Sequence, residues 1–72
     1  MPRNDPEPTA SCYEAMAEEL RQASEHCRTA ALHVRSDEFH RACAHAFAAC
    51  AHVRRFQRRL DEAPPLAGAR AA

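Results

Sequence analysis

The sequence predicts an all-α protein: an antiparallel helical hairpin that pairs with a second copy of itself into a dimeric four-helix bundle. Three observations lead there. Apolar residues recur at spacings of three and four through two long stretches that contain neither Gly nor Pro. A short polar break at His33–Asp37 separates them. The second stretch carries an apolar face wider than one partner helix covers, so a lone hairpin leaves part of it bare.

Residues 1–8, with three prolines among polar side chains, read as a disordered lead-in to a hairpin domain over 9–63. Ser11 is the favoured cap of the first helix because Glu14 follows three residues on, as in a capping box. Glu14, Glu18 and Glu19 then lie near the positive end of the helix dipole. From there Tyr13, Met16, Leu20, Ala23, Cys27, Ala30 and Val34 alternate by three and four, the period of left-handed coiled-coil packing. The expected helix covers about residues 11–35 and is on the order of 37 Å long.

The break carries no Gly or Pro, but Ser36 and Asp37 are good caps for a second helix, expected over about 37–62. Its main seam is Phe39, Ala42, Ala46, Ala49, Val53, Phe56 and Leu60. A neighbouring stripe of Cys43, Cys50 and Gln57, with Phe47 and Ala51 beyond it, widens the face. Pro64 and Pro65 stop the helix, leaving 64–72 as a flexible tail.

Composition sets limits on this fold. A chain of 72 residues buries only about 60% of the surface its unfolded form exposes, so a cross-link, a metal or a partner commonly supplements the core. Three Phe, one Tyr and no Trp leave alanine as the main apolar residue, and each Ala removes little area from water. Ten arginines, with no lysine, balance ten acids. Zero net charge argues against nucleic acid or an anionic membrane surface as partner, despite the cluster Arg54, Arg55, Arg58 and Arg59. Residues 1–36 carry −2 and residues 37–72 carry +2, which favours folding back over one continuous helix. That fold would set Glu14, Glu18 and Glu19 near the arginine cluster. No run suits a membrane span or a secretory signal, so a cytoplasmic protein is expected.

Cysteine and histidine are the residues that hint at chemistry. Cys12, Glu19, His26 and His33 repeat every seven residues along one flank of the first seam. On the second helix Cys43 and Cys50 form one sevenfold line and His45, His52 and Arg59 another. Seven residues span about 10.5 Å of axis, too far for one ion. Closer sets exist once the hairpin folds: His26, Cys27, His40, Cys43 and His45 are the candidate ligands for Zn or Cu, whose borderline-to-soft character suits imidazole and thiolate. No C-x-x-C, zinc-finger or H-E-x-x-H spacing supports that site, and buried thiols with histidines at the face edge explain the pattern more simply. Two helices offer no enclosed pocket or oxyanion donors, and no Gly-rich phosphate loop is present, so no enzymatic activity and no cofactor are expected.

The function expected is therefore an interaction, assembly or adaptor module that self-associates or docks on a larger protein. Its recognition face is Tyr13, Met16, Leu20, Val34, Phe39, Phe47, Val53, Phe56 and Leu60. The alternative is the transition-metal site between helices.

Overall fold

A computed structural model describes residues 5–63. Two helices make up this part of the chain, α1 (Glu7–Arg35) and α2 (Phe39–Glu62), packed against each other as a hairpin. The segments expected to be unstructured, 1–8 and 64–72, lie outside the described residues except for 5–8, where the expectation fails because Glu7 and Pro8 form the start of α1. Among the described residues no helix is long and apolar enough to cross a membrane.

α1 begins four residues earlier than the capping box suggested. Pro8 falls in the first turn, where a missing N–H costs nothing because that donor has no helical partner. Asp5 Oδ1 accepts the Glu7 N–H at 3.0 Å and does the work assigned to Ser11. Ser11 lies inside the helix and donates to Glu7 Oε1 at 3.2 Å. With 29 residues, α1 is about 43 Å long.

The turn closes as a Schellman motif. Glu38 N–H donates to the His33 carbonyl at 2.8 Å and Asp37 N–H to the Val34 carbonyl at 3.0 Å, so the orphan carbonyls at the end of α1 are used. That geometry needs a left-handed residue, and Asp37 supplies it at φ 60°. Glu38 then turns its carboxylate back to His33, 2.9 Å away, while Arg41 donates to its other oxygen at 3.3 Å.

Packing between the helices corrects the expected seam. Each helix carries three adjacent sevenfold stripes. The inner stripe is Met16, Ala23 and Ala30 on α1, and Ala42, Ala49 and Phe56 on α2; it holds all four apolar residues that are buried among the described ones, Met16, Ala23, Ala42 and Ala49. The polar stripe is Cys12, Glu19, His26 and His33 on α1, and Glu38 at the N-cap of α2 followed by His45, His52 and Arg59; all but Arg59 are at least half-buried. The outer stripe is Tyr13, Leu20, Cys27 and Val34 on α1, and Phe39, Ala46, Val53 and Leu60 on α2, and every member is exposed. The sequence expectation faced the inner and outer stripes toward the partner helix. Instead the inner and polar stripes meet, a rotation of about 50° on each helix. Size and pairing account for it. Alanines let the axes approach where Tyr13, Leu20 or Phe39 would hold them apart, and the two polar stripes satisfy one another. Among the described residues no buried side-chain N or O lacks a hydrogen-bond partner.

Candidate functional site

The polar stripes interlock in antiparallel register, each step of seven along α1 matched by a step of seven back along α2. Cys12 S–H donates to the Arg59 carbonyl at 3.9 Å. Glu19 meets His52, His26 meets His45, and His33 meets Glu38. Between the two carboxylates stands a column of four imidazoles. His33 stacks on His45 with ring centroids 5.4 Å apart, His45 lies 5.2 Å from His26, and His26 stacks on His52 at 5.6 Å.

Each end of the column is set by a carboxylate. His52 Nδ1–H donates to Glu19 Oε1 at 2.8 Å, and Arg55 Nε adds a donor to the same oxygen at 3.3 Å, with Arg59 Nε 3.6 Å from Oε2. Glu19 is only 9% exposed, yet its carboxyl lies below the ordinary carboxylate range because the His52 hydrogen bond, with Arg55 behind it, outweighs desolvation. Arg55 Nη2 also lies 3.0 Å from His52 Nδ1, but a guanidinium only donates; the ionised carboxylate therefore selects the tautomer with hydrogen on Nδ1. At the other end the His33 hydrogen bond, helped by the charge of Arg41, holds Glu38 below its ordinary range. At the centre, His26 Nδ1 and His45 Nδ1 are 2.9 Å apart, so one donates and the other accepts.

The expected contacts between acids and the arginine cluster form at Glu19, with Arg55 and Arg59. Glu18 pairs instead along its own helix, bonded to Arg21 at 2.7 Å and to Gln22 at 3.0 Å, which lowers its pKa to about 2.

Of the five candidate metal ligands, the structure brings His26 and His45 into contact. Cys27, Cys43 and His40 are exposed, and among the described residues no group of three or more His, Cys, Asp or Glu side chains is arranged to hold a metal ion. Cys27 is one residue on from His26, about 100° around the helix, and this places it on the outer stripe rather than in the seam.

The recognition residues divide differently. Met16, 5% exposed, and half-buried Phe56 serve the hairpin's own interior. Tyr13, Leu20, Val34, Phe39, Phe47, Val53 and Leu60 are all exposed, Phe47 most of all at 77%. Leu32, 61% exposed, is an apolar residue that the periodicity did not single out, since it belongs to neither seam.

The matched polar stripes give the hairpin an approximate two-fold axis perpendicular to its plane. Equivalent stripes of the two helices therefore fall on the same side, and both outer stripes form one apolar face. Next to them run Ala17, Ser24 and Ala31 on α1, and Cys43, Cys50 and Gln57 on α2, so the face bears no charged side chain. The opposite side is polar: Arg21, Gln22, Glu25, His26, Thr29 and His45 line an open cleft there. Comparison with protein families, with curated proteins and with solved structures finds no match for this chain.

Proposed function

We propose that this protein is a small helical assembly module, binding rather than catalytic, whose uncharged outer face docks on the same face of a second copy. The observation that carries this reading is the exposure of six large apolar residues, Tyr13, Leu20, Val34, Phe39, Val53 and Leu60, in two sevenfold lines on one side of the hairpin.

Three arguments favour a second copy as occupant. The interior of one hairpin is thin: among the described residues its buried apolar side chains are one Met and three Ala. Burial of so little area leaves a short chain in need of further apolar contact. The lines keep a strict seven-residue period, the repeat that supercoils one helix pair against another. A face without charge meets its own image without like-charge repulsion. Its dimensions also suit a stable contact. The outer stripes run about 33 Å along the axes and the two helices are together roughly 18–20 Å wide, a footprint on the order of 600 Å². Standard interfaces bury about 800 Å² of accessible surface on each partner, which a corrugated footprint of that size approaches.

A transition-metal role has narrower support, because only the His26–His45 pair of the candidate ligand set meets. Native mass spectrometry of protein purified without added metal or chelator reads both properties at once. A metal-free dimer is expected; a metal-free monomer at every concentration contradicts self-association, and a whole number of Zn or Cu ions per assembly favours the metal reading.

A further inference from the structure

We propose that the imidazole column is a proton-operated clasp: the hairpin is held closed while one proton is shared across the His26–His45 contact, and it opens when a second proton arrives there. The column lies within a single chain, so this inference does not rest on self-association.

The geometry of the central pair is the starting point. Two Nδ1 atoms 2.9 Å apart form a hydrogen bond when one carries hydrogen and the other offers a lone pair. A neutral pair meets this condition, and so does a pair in which the donating ring is also protonated at Nε2. When both rings are cationic, two N–H groups face each other and the contact becomes repulsive. Closed, this contact holds one proton fewer than the two separated imidazoles take up in acid.

Neighbouring charges strengthen the effect. From α1 the column is faced by Glu19, with Glu18 and Glu25 further out and both engaged by Arg21. At one end it is faced by Glu38, the N-cap of α2, which is paired with Arg41, and at the other by Arg55 and Arg59 of α2. A proton on either end ring strengthens that ring's bond to its carboxylate, His33 to Glu38 or His52 to Glu19. Those charged rings then sit 5.4 Å from His45 and 5.6 Å from His26. Further charge in the middle is opposed from both sides; the carboxylates bonded to imidazoles stand at the ends, and Glu25, which shares the cleft with His26 and His45, is paired with Arg21. The closed hairpin thus gains from the first protons and loses from the last. The interior around the column offers little to resist opening, since its buried apolar side chains are mostly alanine.

The sign follows from proton linkage. Where the open chain binds one proton more than the closed one, the folding constant falls up to tenfold for each unit of pH lost. Glu19 and Glu38 remain ionised through this range because the hydrogen bonds from His52 and His33 hold both carboxyls below the ordinary carboxylate value.

Thermal unfolding followed by far-UV circular dichroism at fixed chain concentration, from pH 8 to pH 5, tests the clasp in wild type and in His45→Gln. The Gln amide can still donate to or accept from His26 but does not titrate. Wild type is expected to lose stability as pH falls across this range, and the variant to lose it with a slope lower by about one proton. A flat wild-type profile, or an equal slope in the variant, overturns the proposal. Nitrogen-15 NMR of the wild-type imidazoles at pH 8 provides a second reading independent of variant folding. The clasp requires one of His26 and His45 to carry hydrogen on Nδ1 and the other on Nε2; hydrogen on Nε2 of both contradicts it.

Discussion

Asp37 occupies a left-handed conformation, at φ 60°, that Gly adopts without steric cost. The Schellman turn needs this conformation at that position, and the Asp side chain makes none of the hydrogen bonds that hold the turn. Asp37→Gly is expected to stabilise the hairpin by about 1 kcal/mol, seen as a rise of several degrees in the midpoint of thermal unfolding. A fall in that midpoint would show that the Asp side chain matters to the turn. Glu19 is the opposite case, a single carboxylate that binds His52, Arg55 and Arg59 across the seam. Glu19→Gln retains the shape but loses the charge, and is expected to lower the midpoint by several degrees at pH 7. Because the carboxyl titrates below its ordinary value of 4.5, its contribution is fully present above that pH and disappears as pH falls through the lowered folded value. Measured in a His45→Gln background, which lacks the second titrating imidazole of the central pair, the cost of Glu19→Gln should therefore shrink toward zero in strong acid. A cost that is the same at pH 7 and in acid would assign Glu19 a packing role.

At the scale of the helices, Ala23, Ala42 and Ala49 permit the close approach that excludes the outer stripe from the seam. Ala49→Leu adds three carbons where the axes are near, and should destabilise the hairpin by about 1–3 kcal/mol in chemical denaturation. An unchanged or raised stability would mean that the seam has spare room. The same alanines explain which parts of this fold were legible beforehand. Periodicity makes both helices legible, since the 3-4 spacing of apolar residues is local chemistry. The capping box of Ser11 and Glu14 points to a start for α1 that is four residues too late, because a first turn tolerates Pro8. The rotation of the seam was not legible from either helix alone. Periodicity shows which residues share a face, but the choice between adjacent stripes depends on the size of residues brought together from distant parts of the chain. The lines Cys12–Glu19–His26–His33 and His45–His52–Arg59 carried the missing signal. Set antiparallel, they pair His26 with His45 and Glu19 with His52, and Glu38 extends the second line to His33.

The whole molecule has two unlike sides. One presents polar groups around an open cleft, and the other presents Tyr13, Leu20, Val34, Phe39, Val53 and Leu60 with no charge among them. Much of the large apolar surface of this chain lies outside its own core, while imidazoles and carboxylates occupy the seam between its helices. That inversion fits a protein completed by association, in which the polar seam fixes how the helices align and the outer face supplies the area that one hairpin does not bury. Leu32 provides an internal control, being equally apolar and more exposed than Leu20 but away from the face.

Sedimentation equilibrium on wild type, Leu20→Arg and Leu32→Arg at neutral pH tests the role of that face most directly. A dimeric wild type, weakened at least about 100-fold by Leu20→Arg and unchanged by Leu32→Arg, is the expected result for an interface centred on the outer stripes. A wild type that remains monomeric, or a dimer that Leu32→Arg weakens as much as Leu20→Arg does, contradicts it.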